Sequence, residues 1–309
     1  MAHTYNNETG VYYGKVRDVH YIGDKLIVLE ATNRISAFDV VLPELIPYKG
    51  QVLNQIAAHM LIQAESICPT WFIKSPTPNT SLGYKCTPFA IEIVVRATLT
   101  GHAWRTYNSG LRSLCGVALP NGMKEHDAFA NAIITPSTKA AQGHDEDITA
   151  DQIIQQGLAT ADQWNTLCKY ALALFAQGQA TAQAQGLTLA DTKYEFGLLN
   201  GNITLLDEIH TPDSSRYFYT NSLYHYTHVD SSVKPVQLSK EFVREWLLEN
   251  NFMGKPGQVI PTMSSSWVAT ISKRYIELYE QIIGAPFVPD DTSEATNTKL
   301  VQQALDALM

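Results

Sequence analysis

Charged side chains flank a short stretch of the sequence that is typical of a tight β-hairpin. Two apolar runs, 196–199 and 203–206, lie on either side of Asn200-Gly201. This dipeptide favours a two-residue turn, because both central residues of such a turn need a positive φ. The charged residues that flank the two runs are Asp191, Lys193, Glu195, Asp207 and Glu208.

Carboxylates at both ends of such a hairpin, with a lysine among them, suit a divalent cation held beside a polyphosphate. Mg²⁺ prefers a few carboxylates together with phosphate oxygens over a complete protein cage. The alternative is a solvated sheet end, since charges at strand ends are commonly exposed. A strict two-residue turn would place Glu195 and Asp207 on opposite faces of the ribbon. We therefore expect a bulge or a wider loop that shifts the register by one residue, so that both can bind one ion.

A candidate phosphate site lies near the N-terminus. Gly14, Lys15 and Arg17 follow two tyrosines in a predicted strand, and a second strand begins after Gly23-Asp24. Lys15 and Arg17 are two residues apart, so a strand would present both on one face, beside a glycine that lets the backbone approach a ligand. Two such cations can clamp phosphates. An ordinary exposed strand is the alternative, and the sequence contains no Walker motif.

Further candidates follow a second predicted strand. Arg96 ends the β-branched run 89–96 and precedes Gly101, a position that suits a phosphate or a carboxylate. A surface ion pair explains it equally well. His144, Asp145 and Glu146 follow one another in a polar loop and could bind a metal or transfer protons, although this spacing is weak as a zinc signature.

Several of these segments, in this order, resemble SAICAR synthetases. The resemblance rests on the motifs Gly14-Lys-Val-Arg-Asp, Ala190-Asp-Thr-Lys-Tyr-Glu-Phe-Gly, Leu206-Asp-Glu and Thr211-Pro-Asp-Ser-Ser-Arg. It covers nearly the whole chain and is closest to the longer, single-function form. It implies an ATP-dependent ligase of de novo purine biosynthesis. That enzyme joins the carboxylate of carboxyaminoimidazole ribotide (CAIR) to the amine of L-aspartate, giving SAICAR, ADP and phosphate through an acyl phosphate.

The resemblance also implies roles for individual residues. The ATP phosphates would be bound by Gly14, Lys15, Arg17 and Lys193. Mg²⁺ would be bound by Glu195 and Asp207, and the catalytic groups would be Asp191 and Lys193. The substrate site would comprise Arg34, Asp39, Arg96, His102, His144, Asp145, Ser215, Arg216 and Arg244. Two positions depart from the family pattern, because His102 replaces a usual serine and Asn33 a usual aspartate.

The sequence predicts an α+β protein with two lobes. Its 309 residues, 45% hydrophobic and 17% charged, are enough for a large core. The resemblance implies an N-terminal nucleotide-binding lobe of antiparallel strands, residues 1–86, similar to that of kinases and ATP-grasp enzymes. Residues 87–309 would form a larger α/β lobe for substrate and metal, with the C-terminal helices. Thr149 with Gln152 and Thr160 with Gln163 are capping boxes that predict two helix starts.

Composition argues against several other classes of protein. The net charge of −8 at pH 7 argues against a nucleic-acid partner. No apolar run approaches the roughly 20 residues of a membrane span, and the N-terminus lacks a signal-peptide pattern. The four cysteines form no Cys-x-x-Cys pair, so we expect free thiols in a reducing cytoplasm. The oligomeric state stays open.

Two interpretations from other classes compete with the ligase. One is a kinase that shares the lobe architecture, and the other is a nucleotide-binding module without catalysis. The absence of His-Arg-Asp and Asp-Phe-Gly patterns argues against a protein kinase. The combination of Lys193, Glu195 and Asp207 argues against a module that has lost its chemistry.

Overall fold

The computed structural model describes residues 5–139 and 145–308, which form two compact units. The first unit contains the chain up to Gln63, the segment Trp71–Cys86 and the chain from Ser239 onward. The second unit contains Ala64–Thr70 and Thr87–Leu238. The predicted boundary between residues 86 and 87 coincides with one of the points at which the chain passes from the first unit to the second. The expectation that the C-terminal helices belong with the larger lobe is wrong, because the chain returns to the first unit at Ser239.

The elements are numbered in chain order. The strands are β1 (Glu8–Tyr13), β2 (Arg17–Ile22), β3 (Leu26–Ala31), β4 (Ser36–Ala37), β5 (Val40–Val41), β6 (Phe72–Thr77), β7 (Thr80–Tyr84), β8 (Thr87–Thr98), β9 (Ser113–Leu114), β10 (Val117–Ala118), β11 (Ala128–Thr138), β12 (Leu187–Leu199), β13 (Asn202–Leu206) and β14 (Ser215–Tyr219). The helices are α1 (Lys49–Ala64), α2 (His102–Asn108), α3 (Ala150–Gln155), α4 (Ala161–Ala184), α5 (Thr220–His228), α6 (Glu241–Glu249), α7 (Ser265–Ile283) and α8 (Glu294–Asp306).

The first unit is built on a five-stranded antiparallel sheet with the order β1-β2-β3-β7-β6. Its hairpin between β2 and β3 turns at Gly23, where φ is +53°, as the sequence predicted. Val301 and Leu305 of α8 are buried in one cluster with Val28 and Leu82 of the sheet. This apolar contact explains why the end of the chain belongs to the first unit.

The second unit contains a five-stranded antiparallel sheet centred on β12. Strands β11, β8 and β12 are neighbours in that order, and the far edge of β12 pairs with β13 along one half and with β14 along the other. Helix α4 packs against β12. Both predicted capping boxes are present, at the starts of α3 and α4. No helix in residues 5–139 and 145–308 is long and apolar enough to cross a membrane.

The predicted hairpin joins β12 and β13 through a two-residue turn. Asn200 and Gly201 have φ values of +51° and +82°, and Leu199 pairs with Asn202. Glu195 pairs with Leu206, so the register along the ribbon is that of a strict two-residue turn. The turn is therefore confirmed, whereas the expected register shift between β12 and β13 is wrong.

Candidate functional site

Strand β12 carries three charged side chains on one face of the second sheet. Asp191, Lys193 and Glu195 are spaced by two residues, which is the period of a strand. On the neighbouring strand β8, Arg96 pairs with Asp191 and Glu92 pairs with Glu195. The face thus has two charged ends, about 14 Å apart along the strand at a rise of about 3.4 Å per residue.

One end is a buried group that we call the arginine cluster, formed by Arg96, Asp191 and Arg216. A single carboxylate oxygen of Asp191 accepts hydrogen bonds from both guanidinium groups, at 2.9 Å from Nη1 of Arg96 and 2.6 Å from Nη1 of Arg216. Nε of Arg96 also donates to Oγ1 of Thr135, at 2.8 Å. Asp191 therefore holds two like charges side by side, which is an arrangement suited to an anionic ligand.

Gly101 provides the space that Arg216 occupies. A Cβ atom at this position would lie 2.4 Å from the guanidinium carbon of Arg216, and the φ of Gly101 is +60°. Both the close approach and the left-handed backbone require glycine. This is the structural reason for the glycine that follows Arg96 in the sequence.

Two further predicted substrate residues lie in the second unit. His102 begins α2 directly after Gly101, and its Nε2 lies 2.8 Å from Oδ2 of Asp147. The hydrogen bond from His102 lowers the pKa of Asp147 against the opposing effect of burial, and Arg96 also contributes. Ser215 is buried, and its hydroxyl lies 2.7 Å from Oγ1 of Thr192 on the paired strand β12.

The other end of the face is a group that we call the lysine–acid cluster. Its members are Glu92, Lys139, Lys193, Glu195 and Asp207. Lys193 forms an ion pair with Glu195, and its Nζ lies 3.1 Å from Oε1 of Glu92 and 3.9 Å from Oδ2 of Asp207. Lys139 binds the second carboxylate oxygen of Glu195. Two acids of the hairpin, Glu195 and Asp207, are thus gathered around one lysine together with Glu92 of β8.

Asp207 joins this cluster without a register shift. Strand β13 ends at Leu206, and Asp207 then adopts a left-handed conformation with φ of +54°. A non-glycine residue rarely adopts this conformation, and here it changes the direction of the chain directly after the strand. The side chain of Asp207 consequently lies near Lys193, although strand alternation alone would have placed it on the opposite face.

The charges in the lysine–acid cluster stabilise one another. Burial raises the pKa of Glu195, but the attraction of Lys193 and Lys139 is stronger and lowers it to about 2. Burial lowers the pKa of Lys193, but Glu195, Glu92 and Asp207 together raise it well above its usual value. Burial raises the pKa of Glu92, with Lys193 opposing. Glu195 and Lys193 are therefore both charged at neutral pH.

The lysine–acid cluster can be tested as a Mg²⁺ site by its donors. Within residues 5–139 and 145–308, no group of three or more His, Cys, Asp or Glu side chains is arranged to hold a metal ion. Glu195 and Asp207 both lie beside Lys193 and supply carboxylate oxygens, the donor type that Mg²⁺ prefers. Two carboxylates fit an ion whose remaining ligands are phosphate oxygens and water, and they do not form a complete protein cage.

The predicted nucleotide residues of the first unit surround a tight turn. Lys15 lies in the turn between β1 and β2, whereas Arg17 begins β2, so the expectation that both lie on one strand face is wrong. The backbone N–H of Gly14 donates to the carbonyl oxygen of Arg17 at 2.8 Å, and a Cβ there would lie 2.6 Å from the same oxygen. The geometry of the turn itself therefore requires Gly14. Lys15 forms an ion pair with Asp39.

Arg34 holds this turn in place. Its guanidinium donates to the carbonyl oxygens of Gly14, at 3.0 Å, and Lys15, at 3.3 Å. It also forms an ion pair with Asp18 at 2.6 Å. The neighbouring Asn33 has a separate role, since its Oδ1 accepts a hydrogen bond at 3.0 Å from the backbone N–H of Gly50 in the first turn of α1. The asparagine thus satisfies one of the free donors at a helix start.

Three other residues were predicted to bind substrate: Arg244, Asp145 and His144. Arg244 forms an ion pair at 2.9 Å with Glu241 of its own helix, α6. Asp145 is exposed and raises the pKa of Glu92, although less than burial and Glu195 do. His144 lies outside the described residues. The substrate roles of these residues stay predictions.

Sequence reasoning missed three residues that the structure brings to the two clusters. Glu92 had a signal, because it is a charged residue in an apolar strand, four positions before Arg96 and hence on the same face. Lys139 and Asp147 lie in or next to irregular segments and had no periodic signal. Tertiary contacts place Lys139 beside Glu195 and Asp147 beside His102.

The fold matches that of SAICAR synthetases of known structure. The structure is similar to that of SAICAR synthase from Saccharomyces cerevisiae complexed with SAICAR, with a TM-score of 0.76 and 28% identity, covering 91% of this chain and 96% of that chain. A SAICAR synthetase in complex with ADP has the same fold, with a TM-score of 0.69 and 22% identity, covering 91% of this chain and 100% of that chain. The protein is therefore an α+β, ATP-dependent ligase.

The chain belongs to the SAICAR synthetase family, whose family model matches residues 10–259. It is 55% identical to phosphoribosylaminoimidazole-succinocarboxamide synthase of Bacteroides thetaiotaomicron, over 93% of this chain and 91% of the relative. It is 52% identical to the enzyme of the same name from Cytophaga hutchinsonii, over 97% and 96% of the two chains. The predictions of family, fold class and enzyme class are confirmed, and the alternatives of a kinase and a non-catalytic module are set aside.

Proposed function

We propose that this ligase forms SAICAR from CAIR, L-aspartate and ATP through an acyl phosphate. The two charged clusters of the second unit would bind different anionic groups of the substrates. The observation that carries this proposal is that β12 presents both clusters on one face of its sheet. The arginine cluster suits a phosphorylated sugar, and the lysine–acid cluster suits the phosphates of a nucleotide. An enzyme that only hydrolysed ATP would need the lysine–acid cluster but not the arginine cluster.

The chemistry requires activation of a carboxylate. The free CAIR carboxylate is a poor electrophile, since its leaving group would be oxide. Transfer of the γ-phosphoryl group of ATP to a carboxylate oxygen releases ADP and creates a good leaving group. The amine of aspartate then attacks the carbonyl carbon, a proton leaves the nitrogen, and phosphate departs with the former carboxylate oxygen. Positioning and charge neutralisation are the main contributions of the protein.

The arginine cluster would bind the ribotide phosphate. Arg96 and Arg216 are charged groups that Asp191 holds together by hydrogen bonds of 2.9 Å and 2.6 Å. Asp191 is buried and bonded to both arginines, so we assign it the role of orienting them. Ser215 is anchored to Thr192 next to Arg216 and would support the same end of the site.

The lysine–acid cluster would bind the phosphoryl group during its transfer. Lys193 carries a charge stabilised by three acids, and its Nζ can contact the transferred phosphoryl oxygens. Glu195 and Asp207 would hold Mg²⁺, which supplies charge neutralisation on the nucleotide phosphates when bound. Lys139 already contacts Glu195 and would keep its carboxylate ionised and oriented.

In the first unit, Lys15 and Arg17 would bind nucleotide phosphates, with Arg34 bracing the turn between them. Lys15 contacts Asp39, so a phosphate that binds Lys15 would replace Asp39 as its anionic partner.

The four cysteines are free in the structure, which supports a reducing cytoplasmic location for the reaction.

The proposal is tested by the fate of the carboxylate oxygen. CAIR labelled with oxygen-18 in its carboxylate is incubated with the enzyme, ATP, Mg²⁺ and unlabelled aspartate. We expect one labelled oxygen in each phosphate released, because the acyl phosphate breaks between carbon and that oxygen. Mass spectrometry of the phosphate measures the label.

One control and two contradicting outcomes define the result. Without aspartate, the release of labelled phosphate should fall strongly, since the amine is the acceptor of the acyl group. Unlabelled phosphate under turnover would overturn the acyl-phosphate route, even with SAICAR as the product. Failure to form SAICAR from the three substrates would contradict the proposed reaction itself.

A further inference from the structure

Arg96 is held by hydrogen bonds to both of its neighbouring strands. It lies on β8, which runs between β11 and β12 in the second sheet. On the β12 side, Nη1 of Arg96 donates to Asp191 at 2.9 Å. On the β11 side, Nε of Arg96 donates to Oγ1 of Thr135 at 2.8 Å. Arg96 and Thr135 are only 5% and 3% exposed, so water does not compete for this hydrogen bond.

The register of the strands places Thr135 beside Arg96. Ile133 pairs with Arg96 and Thr135 pairs with Val94, so Thr135 is a diagonal neighbour of Arg96 on the same face of the sheet. The hydroxyl of Thr135 donates its own hydrogen to the carbonyl oxygen of Val94, at 3.4 Å. Its oxygen therefore serves as the acceptor for Arg96. The branched side chain has few rotamers in a strand, which keeps the oxygen in this direction.

Asp191 alone does not fix the guanidinium of Arg96. One carboxylate oxygen of Asp191 accepts from both Arg96 and Arg216, so two like charges share a single acceptor. Burial lowers the pKa of Arg96, Asp191 raises it, and Arg216 lowers it further. Rotation about a single hydrogen bond would relieve the repulsion by moving Arg96 away from Arg216. The bond to Thr135, on the opposite side of β8, prevents this rotation.

Thr135 anchors Arg96 without cancelling its charge. Arg96, Arg216 and Asp191 carry two positive charges and one negative charge, which leaves a net charge of +1. A carboxylate in place of the Thr135 hydroxyl would reduce this sum to zero. Asp147 also acts on Arg96, but less strongly than Asp191 does. Because Nε has a single hydrogen and Thr135 accepts it, a ligand is bound by the Nη groups of Arg96.

We propose that Thr135 is a positioning residue for the ligase reaction, because its hydroxyl fixes the plane of the Arg96 guanidinium and directs the Nη groups to the ribotide phosphate. This inference rests on the proposed function and deepens it. Thr135 acts through Arg96 and does not itself touch the substrate. With Asp191 on the other side, it sets the guanidinium plane before the ribotide binds, so binding does not have to order this side chain.

The experiment compares a ligand that has the phosphate with one that lacks it. Calorimetry gives the Kd of CAIR, and of the CAIR nucleoside without the phosphate group, for the wild type and Thr135→Val. Valine has the shape of threonine but no acceptor, so Nε of Arg96 loses its partner. We expect the Kd of CAIR to rise about tenfold and that of the nucleoside to change by less than about twofold. The Kd of ATP should not change.

Two further variants separate positioning from a loss of structure. Thr135→Ser keeps the hydroxyl and can still accept from Arg96, so the Kd of CAIR should stay within about threefold of the wild-type value. Thr204→Val is the matched control, because Thr204 is also buried in the second sheet and its hydroxyl donates to the carbonyl oxygen of Asn202. It should leave every Kd unchanged. Thermal melts confirm that each variant is folded.

The outcomes are distinct. If Thr135→Val binds CAIR as tightly as the wild type does, the inference is overturned and the proposed function stays intact. An equal rise in the Kd of CAIR and of the nucleoside would overturn the inference too, and so would a Thr135→Ser variant as weak as Thr135→Val. If the wild type itself binds CAIR and the nucleoside equally well, the arginine cluster does not bind the phosphate. The role proposed for that cluster then fails, and the inference fails with it.

Discussion

At the scale of single residues, two unusual backbone angles decide where charged groups lie in this ligase. Asp207 has a φ of +54° and lies beside Lys193 for that reason. Gly101 has a φ of +60° and leaves the space that the guanidinium of Arg216 fills. In each case one residue, and not the regular element next to it, determines the geometry of a cluster.

Gly101→Ala should disrupt the arginine cluster. The added methyl group would lie 2.4 Å from the guanidinium of Arg216, so the arginine must move away from Asp191. We expect the KM for CAIR to rise at least about tenfold, while the KM for ATP changes little. Steady-state kinetics with each substrate varied in turn measures this difference.

Gly157→Ala is the matched control for this substitution. Its φ of +69° is likewise positive and unfavourable for alanine, but a Cβ there would have nothing within 4 Å. It should lower stability by about 1 kcal/mol without changing either KM. Equal effects of the two variants on the KM for CAIR would show that strain alone accounts for Gly101.

Glu195→Gln and Asp207→Asn test the metal assignment. Each removes one of the two carboxylates proposed to hold Mg²⁺, so we expect turnover to fall about a hundredfold or more and the Mg²⁺ requirement to rise. Rates measured across a Mg²⁺ titration give both quantities, and circular dichroism checks the fold. Asp162→Asn, in the first turn of α4, should leave both unchanged. An unaltered Mg²⁺ requirement in both site variants would disprove the assignment.

At the scale of elements, strand β12 is the central structural feature of the second unit. One of its faces holds Asp191, Lys193 and Glu195, and the other holds Tyr194 and Phe196 in the core. A shift of one residue in its register would exchange these faces and place three charges in the core. The pairing with β8 and the turn at Asn200-Gly201 therefore fix which face of β12 carries Asp191, Lys193 and Glu195.

Gly201→Ala should weaken the hairpin at this turn. Its φ of +82° is unfavourable for alanine, so we expect the free energy of unfolding to fall by about 1–2 kcal/mol. Asn200→Gly is the control, because glycine tolerates the φ of +51° at that position, and it should change stability by less than about 0.5 kcal/mol. Urea unfolding measures both. A Gly201→Ala protein as stable as the wild type would show that the turn geometry is not limiting.

At the scale of the whole molecule, each compact unit is built on its own antiparallel sheet, and the second unit buries histidines in neutral form. His210 is fully buried, with its Nε2 2.7 Å from the hydroxyl of Tyr194, and burial lowers its pKa to about 3. The ring packs so closely on α4 that a Cβ at Gly178 would lie 2.5 Å from it. The folded state therefore cannot readily accommodate a charge on this ring.

Acidification should destabilise the protein in a defined pH range. Because the pKa of His210 is lower in the folded state than in the unfolded chain, the unfolded chain binds protons first as the pH falls. The two histidines should cause no loss of stability above about pH 6.5. Below that pH, the free energy of unfolding should fall by up to about 1.4 kcal/mol per pH unit for each histidine. The loss should continue down to about pH 3 for His210 and about pH 4 for His126. The protonation of Glu195 lowers the stability further, but only below about pH 4.5.

The variant His210→Gln tests this expectation. Gln retains a polar partner for Tyr194 but does not titrate, so the fall in stability between pH 7.5 and pH 5 should be smaller than in the wild type, even if the variant is less stable overall. Urea midpoints across this range provide the measurement. His225→Gln, at an exposed position on α5, should follow the wild-type curve. A wild-type slope in His210→Gln would contradict the assignment.

The sequence by itself determined the features that depend on neighbouring residues. The Asn200-Gly201 turn, the capping boxes at Thr149 and Thr160 and the turn at Gly23 follow from local backbone preferences, and all are present. The family motifs are continuous segments of sequence, so the assignment to an ATP-dependent ligase also came from the sequence alone.

Only the tertiary structure decided which side chains meet. Lys139 is 56 residues from Glu195 in sequence, and Asp147 is 45 residues from His102. Their contacts depend on strand pairing and loop paths that no local pattern encodes. The return of the chain from Ser239 to the first unit has the same origin, because the apolar face of α8 is buried by strands far away in sequence. Local preferences set each element, but burial and charge pairing between distant elements select the arrangement that forms the site.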